Sequence, residues 1–513
     1  MGRQYQECPL VPPPPQEDSP VHLTWTSRLA AGTATAALAL TLAAPASLAG
    51  GTGPVDAPAP EPVGDTATDG SRDGAAPADF GPKNVIFLIG DGMGFNQVDT
   101  ASLYEHGVSY HQVDVEPGAG DVTRQPGRAT QIYQHFPVGV AAATYQHGAG
   151  YDPAVEWGSF RGPMQNRPDS AATATALATG VRTYNAAIGV DPDRKPVRNL
   201  TERAQELGKA SGVVTSVPFT HATPASFVAH NEHRNNYHSI AREMLWEHEI
   251  NVVMGGGHPW YDGNAQRRDE PTYQYLAEAE WNALSGGETQ FELVETPEEF
   301  AALATATDTP AHVFGMPQVA ATLQYDRSGP DRAADGTPVA GAEPFTAPKN
   351  TGVPRLDEMA SAALNILDNA SEEGMFLMVE GGAIDWASHA NELNRQIEEQ
   401  ISFNRTIETV VDWVERESNW AETLVVVTAD HETGYLTSTD ADPGWKPIQG
   451  EKGKLPRATW HTGGHTNALV PVYAKGVGAT RIEQYARHED PVRGAYLENI
   501  DIAETVFDYW GRP

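Results

Sequence analysis

The chain of 513 residues is too long for one small domain and long enough for one large core with insertions. Hydrophobic residues make up 40% and aromatics 8%, which supports a packed core and excludes wholesale disorder. Asp and Glu number 68 against 34 Lys and Arg, a formal charge of −34, so nucleic acid and anionic membranes are disfavoured as partners by simple repulsion.

In chain order, residues 1–28 are mostly polar, with a proline run at Pro12–Pro15. An apolar stretch, Leu29–Ala44, follows and then Ser47-Leu48-Ala49. The stretch is short for a bilayer span, and the small-x-small pattern suits signal peptidase. Residues 1–49 therefore read as an export signal cleaved near Ala49, which makes the mature chain periplasmic or extracellular and leaves it without a stable membrane span. An anchor helix is the competing reading. The single cysteine, Cys8, precedes the cleavage point, so the mature chain would carry no disulfide. Residues 50–80, rich in Ala, Pro, Gly and Asp, read as a flexible linker.

From residue 81 onward the pattern changes. Nearly continuous apolar runs at Asn84–Ile89, Gly212–Val217, Asn251–Met254, Met375–Val379, Leu424–Thr428 and Leu469–Tyr473 predict buried strands. Helical patterns alternate with them at about 170–179, 199–209, 236–248, 356–370, 391–417 and 502–510. This alternation predicts an α/β fold with a central, mostly parallel sheet flanked by helices on both faces. Residues 258–350 interrupt the rhythm and read as an inserted elaboration, while 432–464 reads as a long surface loop. Ligands of such sheets bind beyond the carboxyl ends of the strands.

Candidate chemistry lies at those ends. The first strand runs into Gly90-Asp91-Gly92-Met93-Gly94, where glycines allow a sharp turn that brings Asp91 close to a ligand. Met375–Val379 leads to Glu380 and then to Asp385 and His389, which share one face if the segment is helical. Leu424–Thr428 leads to Asp430 and His431, neighbours that can share an ion only where the chain has left strand geometry. His461 and His465 precede the last strand. Each set alone has an ordinary structural reading; four sets together favour a metal centre.

Asp169-Ser170-Ala171 opens an alanine-rich helix. Its plainest local reading is an N-cap, yet the same geometry offers backbone N–H groups to a phosphate. No G-x-S-x-G elbow surrounds Ser170, so a nearby metal could activate it in place of a histidine base. His221 and Thr223 follow, and a threonine hydroxyl suits a hard cation. Arg234 can grip two phosphate oxygens in a fork, although a solvated arginine in a polar loop is the simpler reading of that stretch alone.

These motifs, in this order, resemble the alkaline phosphatase family over about 84–510, apart from the 258–350 insertion. The resemblance implies one catalytic domain over 81–513 that hydrolyses phosphate monoesters, small phosphate esters being its substrates. It implies a phosphoserine intermediate on Ser170, with Arg234 binding phosphate. It further implies two zinc ions, one held by Asp385, His389 and His465 and the other by Asp91, Asp430 and His431 beside Ser170. A magnesium ion, or another divalent ion at this third site, would take Asp91, Thr223 and Glu380. Asp169, His221 and Trp386 would lie just outside these ligands. The best-known bacterial member has Asp and Lys where this chain has His221 and Trp386, while other members resemble this chain there. Trp386 brings no charge to phosphate. A homodimer is common in the family. A sulfatase would need a modifiable residue in a C/S-x-P-x-R context, which Ser170-Ala171-Ala172-Thr173 lacks; a phosphodiesterase shares the paired metals and stays open. An exported binding protein with a decayed site is the non-enzymatic alternative.

Overall fold

Asn84–Ile89 forms a strand in which every residue is buried, as do Met375–Glu380, Thr423–Thr428 and Ala210–Pro218. Successive side chains on a strand point to opposite faces, so burial without alternation means that both faces of the sheet are covered. The computed structural model describes residues 81–118, 122–125 and 127–512. The expected export signal, the linker and Cys8 lie outside them.

Among the described residues, eleven strands form one sheet. From edge to edge they are His488–Asp490, Gly494–Glu498, Val138–Ala143, Val470–Gly476, Thr423–Thr428, Asn84–Ile89, Met375–Glu380, Ala210–Pro218, Val252–Gly256, Val313–Gly315 and Glu292–Val294. The run from Thr423–Thr428 to Glu292–Val294 is parallel throughout. Val470–Gly476 is antiparallel to both its neighbours. That reversal has a consequence for the site: an antiparallel strand starts at the sheet end where its parallel neighbours finish, so the residues just before Val470 arrive beside those just after Thr428.

One helix group packs Leu356–Ala370 against Leu393–Glu417, which in turn meets Phe95–His106 and Ala383–His389. The first of these buries Leu356, Met359, Ala360, Ala363, Leu364 and Leu367, a stripe at helical spacing. A second group gathers around Ser170–Thr179, which packs against Ile500–Trp510 and Ala222–Ser226. Ser170–Thr179 is buried on all sides, which its small residues permit. No helix among the described residues is long and apolar enough to cross a membrane.

Two details refine the sequence reading. Val313–Gly315 and Glu292–Val294, within the segment read as an elaboration, extend the parallel sheet. The same segment is tied down by Asp331, whose carboxylate receives both Nε and Nη2 of Arg395 at 2.8 Å. Residues Glu432–Ser438, read as surface loop, are instead buried. Their polar groups are satisfied internally: Glu432 accepts from Gln97 Nε2 at 2.8 Å and from Thr466 Oγ1 at 2.6 Å.

Candidate active site

Four adjacent parallel strands deliver the candidate ligands. Asn84–Ile89 ends just before Asp91, Met375–Glu380 ends on Glu380, Thr423–Thr428 ends before Asp430, and Ala210–Pro218 leads to His221 and Thr223. Gly92 adopts φ +72°, and a Cβ there would lie 2.8 Å from Thr433 Oγ1 and 2.9 Å from Asp385 Cα. The glycine therefore meets both a conformational and a spatial requirement. Its N–H donates to Asp430 Oδ1 at 3.1 Å, which joins the first strand's turn to the segment after Thr423–Thr428.

Two groups form. In one, His431 Nε2 lies 3.1 Å from Asp430 Oδ2, 3.6 Å from Asp91 Oδ1 and 3.1 Å from Ser170 Oγ. The strand has ended at Thr428, which frees Asp430 and His431 to converge as neighbours on a strand cannot. In the other, Asp385 and His389 sit one turn apart on the helix Ala383–His389, with Oδ2 and Nε2 3.4 Å apart. His465 Nε2 is 3.6 Å from Asp385 Oδ1 and 3.0 Å from His389 Nε2.

The tautomers of this last pair carry information. His389 Nδ1 lies 2.7 Å from Gly463 O, and His465 Nδ1 lies 2.7 Å from Pro168 O. A carbonyl only accepts, so each Nδ1 holds a proton and the two Nε2 atoms are left facing each other. Two such nitrogens 3.0 Å apart are held together by a positive charge between them, a shared proton or a metal ion. Ligand atoms at ~2.0–2.1 Å from a tetrahedral zinc ion are about 3.3 Å apart, close to the separations in both groups. Both Asp91 oxygens and Glu380 Oε1 are buried without a hydrogen-bond donor on them. The donor set of carboxylates and imidazoles, with these acceptors turned inward, fits divalent cations.

Electrostatics agree. Burial, reinforced by Asp430, Asp385 and Glu380, raises Asp91 well above the usual carboxylate range. Burial pushes Glu380 up to about 8, with the Thr215 hydroxyl that donates to it offsetting part of the effect. Burial and the Asp385 charge push Asp430 up to about 7. Such crowding of carboxylates is costly unless positive charge is brought among them.

Ser170 begins its helix behind Asp169, whose Oδ1 accepts from Ala172 N at 3.0 Å. Asp169 is thus the cap that the sequence allows, and its other oxygen accepts from Arg234 Nη1 at 3.2 Å. Arg234 Nη2 lies 3.3 Å from His221 Nε2, and the His221 ring meets Trp386 edge-on, centroids 5.6 Å apart. Asp169, Arg234, His221 and Trp386 therefore form a chain of contacts leading away from the start of the serine helix. His461 lies elsewhere: its Nε2 is 2.6 Å from Thr437 Oγ1 and its ring packs on Phe160.

Sequence reasoning overlooked Thr433. Its hydroxyl donates to Asp385 Oδ1 at 2.6 Å and lies 3.2 Å from His431 Nδ1, so it bridges the two groups. The spacing of two from His431, which puts both side chains on one face of an extended segment, was the available signal. The sequence reading put His431 beside Ser170 only through a shared ion, whereas His431 Nε2 also lies within direct hydrogen-bond reach of the hydroxyl.

An α/β sheet with carboxylates, imidazoles and a helix-start serine at its carboxyl end defines a hydrolase centre suited to divalent ions. The sequence signature described as Alkaline phosphatase matches residues 82–457. Alkaline phosphatase 3 of Bacillus subtilis is 31% identical, the match covering 83% of this chain and 88% of that protein. Alkaline phosphatase of Escherichia coli is 28% identical over 68% of this chain and 70% of its own length. Among solved structures, alkaline phosphatase from the Antarctic bacterium TAB5 aligns with a TM-score of 0.56 and 25% identity, over 84% of this chain and 100% of that one. The chain belongs to the alkaline phosphatase family, and its activity is the hydrolysis of phosphate monoesters.

Proposed function

We propose that hydrolysis runs through a phosphoserine on Ser170, with two zinc ions and one magnesium or similar divalent ion. Asp385, His389 and His465 would hold one zinc, and Asp91, Asp430 and His431 the other. Asp91, Thr223 and Glu380 would hold the third ion. The observation that carries this reading is the 3.0 Å approach of His389 Nε2 and His465 Nε2, each with its Nδ1 engaged by a carbonyl. Bound there, the ions would polarise the phosphoryl group, ease ionisation of Ser170 and offset charge on the leaving oxygen.

The chain's own groups supply position. Ser170 Oγ forms the new bond to phosphorus while the ester oxygen departs and takes up a proton. Water then attacks the phosphoserine, restoring the Ser170 hydroxyl and releasing inorganic phosphate. The positive end of the helix Ser170–Thr179 favours a phosphate in front of it. Arg234, braced by Asp169 and His221, is oriented to donate two hydrogen bonds to phosphoryl oxygens. The apolar Leu29–Ala44 run and Ser47-Leu48-Ala49 support export, with removal of the signal near Ala49.

One contact favours a second reading, in which His431 acts as a base toward Ser170 across their 3.1 Å separation. Two carboxylates face the same ring nitrogen, an arrangement better suited to binding an ion than to passing a proton. On the base reading, a metal-stripped enzyme would keep forming phosphoserine; on ours it forms none.

Two outcomes test the assignment. Turnover of a phosphate monoester and a diester should be compared on one preparation, and the monoester should be much the faster. A preference for the diester would refute the monoester reading. Arg234→Ala should raise the inhibition constant for inorganic phosphate by about 10–100-fold, the loss expected for charge-assisted hydrogen bonds. An unchanged constant would mean that Arg234 does not touch phosphate.

A further inference from the structure

Away from the active site, the described residues bring together one more set of ligand-type side chains: His230, Glu243 and His248. We propose that these three bind a zinc-type divalent ion in a structural role, pinning the segment that carries Arg234 to the helix after it.

Glu243 Oε1 lies 3.3 Å from His230 Nδ1 and 3.3 Å from His248 Nε2, and the three ligand atoms all fall within 4.8 Å of one another. Donors at ~2.0–2.1 Å from a tetrahedral ion are separated by about 3.3 Å, so an ion fits among these atoms with little movement. The far side of His230 is prepared in the way ligand imidazoles usually are. Its Nε2 is 3.1 Å from Val197 O and 3.6 Å from Glu202 Oε2. A carbonyl there keeps a proton on Nε2, so the group that an ion would displace is the Nδ1 proton now shared with Glu243, whose carboxylate holds the His230 ring above its usual range. The carboxylate is also held in place, since Oε1 accepts the His230 backbone N–H at 2.7 Å. The side chains of His230, His248 and Glu243 are 11%, 13% and 14% exposed, enough for an ion to enter and too little for free hydration of the cluster. Charge balances as well: a divalent ion is matched by Glu243 together with nearby Glu202. Water would complete the coordination.

The connectivity gives the ion its role. His230 precedes Asn231, which is paired in both directions with Ile188, and Arg234 N donates to Ala186 O at 2.8 Å. Glu243 lies on the helix Tyr237–Trp246, and His248 follows its end. An ion shared by the three would close the segment 230–248 into a loop with Arg234 inside it. Loop closure of this kind stabilises a fold by restricting the unfolded chain.

The test counts ions and does not depend on turnover, so it stands or falls apart from the catalytic reading. The full chain is stripped, titrated with zinc to saturation, desalted and analysed for bound metal, beside His248→Ala and Glu243→Gln. Each variant should retain one ion fewer per chain than the unmodified protein, with an unchanged circular dichroism spectrum. Equal stoichiometry in all three overturns the proposal. Should either variant misfold, zinc-edge anomalous diffraction from the unmodified protein decides. A peak within about 2.0–2.2 Å of His230 Nδ1, His248 Nε2 and a Glu243 oxygen supports the site, and no peak there at saturating zinc refutes it.

Discussion

Ser170→Ala is expected to abolish phosphoenzyme formation and to lower turnover of phosphate monoesters by roughly 10³–10⁶-fold, the range over which loss of a covalent nucleophile is felt in other hydrolases. The residual rate should be that of water attacking a phosphate still held by the remaining groups. The substitution removes one hydroxyl from a buried helix start and leaves the cap in place, because the cap is the Asp169 side chain. Stability should therefore change little, and any loss of rate belongs to chemistry. Brief mixing with labelled monoester, acid quenching and phosphoamino-acid analysis should yield phosphoserine from the unmodified enzyme and none from the variant. Labelled phosphoserine in the variant would place the nucleophile elsewhere. Full turnover without it would mean direct hydrolysis.

Ser170 is also where local sequence says least. Asp169-Ser170-Ala171 reads as a helix start, and it is one. Its candidacy came from distant segments that the topology then gathers: four neighbouring parallel strands end at one edge, each followed by a carboxylate, imidazole or hydroxyl. Apolar runs reveal such strands because burial on both faces leaves no room for alternation. Strand order and direction leave no such trace. Val138–Ala143 was missed because alanine and glycine are weak strand formers. Val470–Gly476 reads as one more apolar strand, yet it runs antiparallel and so brings His465 to Asp385. Phe95–His106 escaped the helical pattern because its buried side chains include Gln97, Asp99, Thr100 and Ser102. Those residues serve an internal polar network, in which Gln97 reaches Glu432 and Asp99 accepts from Gln112 at 2.7 Å. Hydrophobic periodicity is blind to an interior built from hydrogen bonds. The same blindness explains why buried Glu432–Ser438 reads as surface.

Exhaustive chelation should abolish turnover and also make stability depend on pH in a direction opposite to that of most carboxylate-rich proteins. In the ion-free chain, burial raises Glu380 to about 8 and Asp430 to about 7, and it raises Asp91 as well. Unfolded, the same groups titrate near 4.5 and 3.8. Between those limits the folded state binds more protons than the unfolded state, so stability must fall as pH rises. A tenfold change in proton affinity is worth ~1.4 kcal/mol, so a cluster of three mutually repelling carboxyls should lose on the order of several kcal/mol between about pH 4 and pH 8. Below that window the carboxyls are neutral in both states and the penalty vanishes. Divalent ions reverse the balance, because they bind the ionised carboxylates and stabilise only the folded chain. Melting temperatures measured from about pH 5 to about pH 9 should therefore stay close together for the stripped and loaded forms at the acid end and diverge steadily toward the alkaline end. Restoring zinc and magnesium at alkaline pH should close the gap, and the same addition near neutral pH, where these carboxyls still hold protons, should release them. Parallel melting curves across the whole range would show that Asp91, Glu380 and Asp430 do not face a common pool of positive charge.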